Sequence, residues 1–292
     1  MAIEHIRGAG DPRIAAYRDM PDADLVHSRG LFVAEGRLVV RRVIEDGRYR
    51  VQSVLVSEAA RRSLEPLLTT IPPDVPIYVC GAGDFLGITG HDIHRGCLAL
   101  VERPPALSID ALLTTVENRC TPSVQVVVLE GVTNADNIGG VYRNAAAFGA
   151  AGVLLSPTCC DPLYRKAIRT SMGAALRVPF ARADDWPAVL SQLRAAGFII
   201  VALTPREPSE RLEAFRSHPR ADRVALVVGT EGGGLTPSVE AAADYRVRIP
   251  TSDGVDSLNL AVAASIALYE LRLSTAFNVK NATTKSRKHE KD

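Results

Sequence analysis

The stretch that decides the fold is IPTSDGVDSLNL, residues 249–260, which continues as AVAASIALYELRL through Leu273. Its second half is apolar on almost every side, which is typical of a helix buried inside a protein. Ser257 is a suitable cap for the start of that helix, and a short strand, Tyr245–Pro250, precedes it. A strand that leads through a glycine-containing loop into a buried helix N-terminus often builds a ligand site. An ordinary capped core helix with a tight entry turn has the same pattern.

Two glycine-rich stretches precede this one in the chain. LEGVTNADNIGGVYRNAAAFG spans residues 129–149, and LVVGTEGGGL spans residues 226–235. In this order and spacing, the three stretches resemble the signature motifs of the SpoU (TrmH-like) family of RNA ribose 2′-O-methyltransferases. The resemblance implies an RNA substrate, S-adenosylmethionine as the methyl donor and a homodimer, since the family's active site is completed across a dimer.

From residue 124 onward, predicted strands and helices alternate. Val124–Leu129 is apolar except for Gln125, which is typical of a parallel strand covered on both faces. Further strands are predicted at residues 152–156, 198–203, 223–228 and 245–249, and helices at residues 138–148, 162–172, 184–196, 211–216 and 237–243. This alternation predicts an α/β fold with a parallel sheet and helices on both sides. The resemblance adds a C-terminal trefoil knot, the SPOUT fold, built from residues 228–235 and from residue 249 into the last helix.

Residues 1–105 form a separate predicted domain, a small α/β unit. Strands are predicted at residues 51–56, 76–79 and 97–101, with helices at residues 38–46 and after a capping Ser57. FVAEG at residues 32–36 and HRGCLAL at residues 94–100 resemble the L30e/L7Ae-like RNA-binding domain found in front of SpoU catalytic domains. Tandem prolines end this unit at Pro105.

The remaining domain boundaries follow from these assignments. Residues 106–122 are predicted to be a linker with a short helix at residues 109–116, and residues 123–275 to be the knotted catalytic domain. Residues 276–292 are polar, charged and almost without apolar side chains, so we expect a disordered tail.

The composition favours a folded protein with no membrane segment. Of the 292 residues, 47% are hydrophobic and 23% are charged, which is enough to form a sizeable core. The chain lacks an uninterrupted apolar run of about 18 residues, and its start lacks the pattern of a secretory signal. Adjacent Cys159 and Cys160 favour a reducing compartment, so we expect a cytoplasmic location.

Charge and metal-ligand patterns say little by themselves. The net charge of +1 means that any basic surface for RNA is local. Arginines cluster within residues 37–50 and 165–177, although solvated helix faces are the better explanation for any one such cluster. The cysteines have no metal-ligand spacing, and His91 and His94 have no third ligand nearby, so we expect no metal.

Five residues of the three stretches match the polar positions of the family's active site: Asn137, Arg143, Glu231, Ser257 and Asn259. A guanidinium at Arg143 can hold a phosphate through two hydrogen bonds and so orient the nucleotide. Whether Arg143 also removes the 2′-OH proton stays open, because a guanidinium keeps its own proton in proteins. A salt-bridged surface arginine is the alternative for Arg143. Glu231 is expected to pair with Arg143 or with the dimer partner, and a purely structural ion pair is its alternative.

Five further residues are implied to bind S-adenosylmethionine through their backbone: Leu203, Thr204, Gly229, Ile249 and Leu258. Gly229 has a physical reason as well, because a backbone that approaches a ligand closely has no room for a side chain. From their sequence alone, Ile249 and Leu258 are better explained as core residues, and only the match to the motif assigns them to the cofactor.

Two other functions compete with RNA methylation. A catalytically inactive RNA-binding or ribosome-assembly protein could keep the fold, but the complete set of polar motif residues argues against it. A nucleotide-dependent oxidoreductase lacks support because the fingerprint Gly-x-Gly-x-x-Gly is missing after the strand at residues 124–129.

One departure from the family is NADN at residues 134–137, where Asp-Pro-x-Asn is more usual. The front domain tilts the expected substrate towards ribosomal RNA over transfer RNA.

Overall fold

The computed structural model describes residues 2–18, 20–81, 83–89, 96–117, 124–215, 223–255 and 257–271. The chain folds into two compact units. The first combines the residues up to Pro105 with Asp161–Arg177, and the second contains the remaining residues. None of the described helices is both long and apolar enough to cross a membrane. The two histidines considered as metal ligands and the predicted tail lie outside the described residues.

The helices and strands have the following bounds. Up to residue 105 they are β1 (Ala2–His5), α1 (Ala15–Arg18), β2 (Leu31–Glu35), α2 (Arg37–Asp46), β3 (Val51–Ser57), α3 (Glu58–Leu68), β4 (Pro76–Cys80), α4 (Asp84–Thr89) and β5 (Cys97–Glu102). From residue 106 they are α5 (Ile109–Glu117), β6 (Val124–Glu130), α6 (Ala135–Phe148), β7 (Gly152–Leu155), α7 (Arg165–Thr170), β8 (Phe180–Arg182), α8 (Val189–Ala195), β9 (Ile199–Leu203), β10 (Glu210–Arg211), α9 (Leu212–Phe215), β11 (Arg223–Gly229), α10 (Pro237–Ala242), β12 (Tyr245–Arg248) and α11 (residues 260–271).

The first unit is built on a five-stranded sheet with the order β1-β4-β3-β5-β2. Strands β1, β4 and β3 are parallel, whereas β5 runs antiparallel to both of its neighbours. The three strands predicted here correspond to β3, β4 and β5, and Ser57 caps α3 as predicted, accepting a hydrogen bond from Ala60 N at 3.2 Å. Tyr17 is fully buried against this sheet, and its hydroxyl lies 2.7 Å from Ser53 Oγ.

Residues 161–177 pack in the first unit, although they lie within the range predicted for the catalytic domain. Two buried carboxylates hold them: Arg103 Nη2 donates to Asp161 at 2.9 Å, and Arg169 Nη1 donates to Glu35 at 2.8 Å. Burial of a carboxylate is costly unless the group is paired with an opposite charge or hydrogen-bonded. These pairs join residues far apart in the sequence, which is why no local pattern predicts where the segment packs.

The second unit contains a seven-stranded sheet with the order β10-β12-β9-β11-β6-β7-β8, in which every neighbouring pair is parallel. The predicted parallel α/β fold is therefore confirmed. All seven residues of β6 are buried, as expected of a strand covered on both faces. The trefoil knot stays a prediction.

Helix α5 belongs to the second unit, although it falls in the predicted linker. Its residues Leu112 and Val116 are buried and pack in one apolar cluster with Ala151 and Leu154 of the sheet region. The helix itself was predicted, but an apolar stripe on a short helix does not show which core the helix joins. The described part of residues 106–122 is thus built into a domain core.

The prediction that the last helix is buried on all sides is wrong for the single chain. Leu260, Leu268 and Leu271 of α11 are buried, but Val262, Ile266 and Tyr269 are 48%, 36% and 45% exposed. The exposed residues follow one another at spacings of four and three, so they lie on one face of the helix.

The predicted cap of the last helix is also wrong. Helix α11 begins at Leu260, and Asn259 rather than Ser257 caps it. Asn259 Oδ1 accepts hydrogen bonds from Ala261 N at 3.0 Å and Val262 N at 3.2 Å. Asparagine satisfies the free N–H groups of a first helical turn as well as serine does, so residue preferences could not separate the two positions.

Candidate active site

A cavity of about 480 Å³ lies where β9, β11 and β12 end. These strands are parallel, so their carboxyl ends share one edge of the sheet, the usual position of a ligand in an α/β protein. The five residues that the motifs assigned to the cofactor all line this cavity: Leu203, Thr204, Gly229, Ile249 and Leu258. They come from three strand ends and from the start of α11, so the fold brings together residues that are up to 55 positions apart, from 203 to 258.

Gly229 is required by the chain itself. A Cβ at this position would lie 2.5 Å from Leu235 N and closer still to the carbonyl group of Gly234. The loop of residues 230–235, which we call the glycine loop, folds back onto the end of β11, and Gly234 N donates to Thr230 O at 2.9 Å. The folded-back loop by itself leaves no room for a side chain at Gly229. The predicted close approach of a ligand is a second, separate reason for glycine here and stays a prediction.

Asn259 binds two other predicted catalytic residues, and we call these three side chains the polar cluster. Its amide nitrogen Nδ2 donates to Asn137 Oδ1 at 3.0 Å and to Glu231 Oε1 at 2.7 Å. Asn137 lies in the first turn of α6 and is buried, whereas Glu231 lies in the glycine loop and is exposed. Within the described part of the single chain, Glu231 does not pair with Arg143, one of its two expected partners, and its carboxylate binds Asn259 instead. Pairing with a dimer partner stays a prediction.

Close packing of α6 against α11 fixes this cluster. A Cβ at Gly140 would lie 2.7 Å from Ala261 Cβ, and Asn144 Nδ2 donates to Ala261 O at 2.8 Å. Asn134 caps α6 by accepting from Asp136 N at 2.8 Å. The cap sets where α6 begins, and Gly140 sets how near α11 lies, so Asn137 and Asn259 come within hydrogen-bond distance.

Arg143 and Ser257 remain open towards solvent. Arg143 is exposed on α6, one turn beyond Gly140, and makes no hydrogen bond or ion pair within the part of the chain that the structure describes. The alternative of a salt-bridged surface arginine is therefore not supported. Ser257 is exposed and lines the cavity next to Leu258.

Two charged residues near the cavity were missed. Glu130 is buried at the end of β6 and accepts hydrogen bonds from Trp186 Nε1 and Thr236 N, both at 2.8 Å. Arg206 follows β9 and donates to two carbonyl groups of the glycine loop. The sequence does contain a signal for Glu130, because it is a single acidic residue at the end of an apolar strand. Arg206 gave a weaker one, because it lies only two positions after a residue assigned to the cofactor.

No cluster of three or more His, Cys, Asp or Glu side chains suited to a metal ion occurs among the residues that the structure describes.

Comparison with known proteins yields consistent relatives. The model of the SpoU rRNA Methylase family matches residues 125–269. An uncharacterized tRNA/rRNA methyltransferase of Mycobacterium bovis is 36% identical over 272 residues, which cover 92% of this chain and 91% of the relative. The AdoMet-bound rRNA methyltransferase of Sinorhizobium meliloti has a TM-score of 0.77 at 23% identity, covering 92% of this chain and 97% of that one. An RNA 2′-O ribose methyltransferase has a TM-score of 0.73 at 24% identity, covering 94% and 100%.

Proposed function

The chain belongs to the SpoU family of RNA methyltransferases, and we propose that it transfers the methyl group of S-adenosylmethionine to a ribose 2′-hydroxyl of a structured RNA. The observation that carries the proposal is the position of the polar cluster. Glu231 lines the cavity and, through Asn259, is linked to Asn137. A methyl donor in the cavity would thus lie beside groups able to orient a ribose.

The cavity has the features that S-adenosylmethionine requires. Its volume of about 480 Å³ suits a ligand of this size. Leu203, Ile249 and Leu258 offer apolar surface, and the strand ends offer backbone groups for the adenosyl part. The sulfonium of the bound cofactor supplies an electrophilic methyl group. What the protein contributes is the geometry of the transfer, which is a large part of the rate for such reactions.

Different roles follow for the polar residues. Both hydrogens of the Asn259 amide are used within the protein, and its oxygen caps α11, so Asn259 positions its neighbours. Within the described chain, Asn137 Nδ2 and Glu231 Oε2 have no hydrogen-bond partner, and they can bind the ribose. The free guanidinium of Arg143 holds the adjoining phosphate. Ser257 contributes a hydroxyl at the cavity edge.

A homodimer is part of the proposal. The exposed apolar face of α11, formed by Val262, Ile266 and Tyr269, is the kind of surface that marks a contact between proteins. Helix α11 comes directly after the segment that carries Ser257 and Asn259, so a second copy bound to this face would lie next to the site. Sedimentation that shows only monomer at micromolar concentration would contradict this part.

The first unit is proposed to bind the RNA, and ribosomal RNA is favoured over transfer RNA. The cytoplasmic location and the trefoil knot remain predictions from the sequence. A catalytically inactive RNA-binding or ribosome-assembly protein is the alternative, and cofactor binding separates the two.

The decisive experiment is methylation of RNA from cells that lack the protein, with S-adenosylmethionine labelled in its methyl group. Complete nuclease digestion then separates 2′-O-methylated nucleosides from base-methylated ones. Label in a 2′-O-methylnucleoside is expected. Label in a base would overturn the ribose assignment, and failure of the folded protein to bind either S-adenosylmethionine or its demethylated product would favour the inactive alternative.

A further inference from the structure

We propose that Arg206 is a positioning residue that holds the glycine loop closed over the cofactor cavity. The inference rests on the proposed use of this cavity for S-adenosylmethionine. Arg206 belongs to none of the three motif stretches, and it does not line the cavity itself. Its effect on the reaction is therefore exerted through the loop.

The guanidinium of Arg206 donates hydrogen bonds to the glycine loop at two points. Nη2 donates to Gly233 O at 2.6 Å, and Nη1 donates to Leu235 O at 2.7 Å. The two carbonyl groups flank Gly234, whose φ of +66° turns the chain back towards β11. Hydrogen bonds from a charged donor are the stronger kind, and a planar guanidinium fixes their direction.

A second set of contacts fixes Arg206 in turn. Thr204 Oγ1 donates to Glu240 Oε1 at 2.8 Å, and Arg206 N donates to Thr204 Oγ1 at 3.2 Å. Arg206 Nη1 also lies 3.3 Å from Glu240 Oε1. Thr204 is buried and lines the cavity, and Glu240 lies on α10. The network thus joins the end of β9, the glycine loop and α10.

The consequence for the cavity follows from what the loop carries. Its backbone is held between the end of β11 at Gly229 on one side and the guanidinium of Arg206 on the other. The loop provides cavity wall at Gly232 and carries Glu231, which binds Asn259. Release of the loop would therefore alter the cofactor wall and the polar cluster together.

A simple surface ion pair between Arg206 and Glu240 is the competing explanation. The Arg206 side chain is 47% exposed, and exposed ion pairs contribute little to stability. A variant of Arg206 should then behave like a variant of any surface arginine. Arg211 provides that comparison, because its side chain is 59% exposed and pairs with the equally exposed Glu213 at 3.1 Å.

The test compares Arg206→Ala with Arg211→Ala in the full-length protein. Calorimetric titration with S-adenosylmethionine is expected to show affinity lower by about 10- to 100-fold in Arg206→Ala, the loss expected for hydrogen bonds from a charged group. Arg206→Lys keeps the positive charge but not the planar guanidinium. Its affinity for S-adenosylmethionine should lie between those of Arg206→Ala and Arg211→Ala. A lower kcat is expected as well, because the loop carries Glu231 of the polar cluster.

A cofactor affinity of Arg206→Ala within about twofold of Arg211→Ala would overturn the inference. Hydrogen exchange of the amides of Gly233 and Gly234 gives a readout that needs no cofactor, and faster exchange in Arg206→Ala alone is expected. If wild-type protein does not bind the cofactor, the proposed function fails, while unchanged exchange overturns the role of Arg206. If Arg206→Ala does not fold, Arg206→Gln takes its place in both measurements.

Discussion

Asn259 Nδ2 and Glu231 Oε1 lie 2.7 Å apart, which joins the first residue before α11 to the glycine loop. The same nitrogen binds Asn137, and the oxygen of the same side chain caps α11. One amide therefore uses its donors for the site and its acceptor for the helix. The two uses can be separated by substitution.

Asn259→Asp is expected to reduce kcat at least about tenfold while the helix cap survives. The substitution keeps an oxygen that accepts from Ala261 N, and a carboxylate at a helix N-terminus is favourable. It removes both donors and places a second negative charge beside Glu231. Loss of one hydrogen bond from an active site commonly costs this much in rate.

Asn134→Asp is the matched control for that experiment, because Asn134 caps α6 through the same acceptor and its side chain is exposed. Single-turnover methylation and thermal unfolding of both variants give the answer. Equal rates in the two variants would show that the link between Asn259 and Glu231 has no part in the reaction.

Arg143→Ala is expected to abolish most RNA methylation and to leave both stability and cofactor affinity unchanged. The guanidinium is exposed and has no partner within the described chain, so its removal leaves no buried group unsatisfied. Methyl transfer, calorimetry with S-adenosylmethionine and thermal unfolding measure the three quantities, with Arg211→Ala as control. For Arg143→Lys, activity near wild type across the pH range would rule out a base role.

The sequence predicted the central strands well, for a physical reason. Strand β11 was expected at residues 223–228 and spans Arg223–Gly229, because a strand buried on both faces appears as an unbroken apolar run. Strand β8 has only three residues and leaves no such run. Helix α8 was expected from residue 184 but begins at Val189. The reason is that Pro187 disfavours a helical backbone at the residue before it, Trp186.

The site was predictable only where a motif carried it. Asn137, Glu231 and Asn259 were chosen from separate stretches, and the structure brings them together. The motifs did not indicate which residue contacts which, so the contact between Glu231 and Asn259 within the chain was not predicted. Arg206 and Glu240 depend on contacts between distant segments, and such contacts impose no period or spacing on a single sequence.

Gly229→Ala is expected to destabilise the protein by about 1–3 kcal/mol, the usual cost of an added methyl group in a packed region. Its Cβ would meet the backbone of the glycine loop, at Gly234 and Leu235, which cannot move aside as a side chain can. Gly233→Ala is the control, because its Cβ would lie 3.4 Å from Thr230 Cγ2. Chemical denaturation measures both, and equal stabilities would contradict the close approach.

The cysteines of the first unit are expected to resist alkylation in the native protein at pH 8. Burial raises the pKa of Cys80 to about 12 and that of Cys97 to about 12. Only the thiolate reacts, and at pH 8 a thiol of such pKa holds about one part in ten thousand as thiolate. Mass spectrometry after iodoacetamide treatment should find both unmodified until the protein is denatured. Cys160, which is only partly buried, provides the contrast.

Ile266→Glu is expected to convert the proposed dimer into a monomer. Ile266 lies at the centre of the exposed face between Val262 and Tyr269, and a charge at the core of an interface would lose its hydration without gaining a partner. Leu86→Glu, at an exposed leucine of the first unit, is the matched control and should leave the oligomeric state unchanged. Sedimentation velocity at micromolar protein distinguishes the two states. A dimer that persists in Ile266→Glu would mean that α11 is not the contact surface, and a site completed by a second copy would then have to use another face. The variant could instead be a monomer that binds S-adenosylmethionine but no longer methylates RNA. That result would show that the second copy is needed for the RNA rather than for the cofactor.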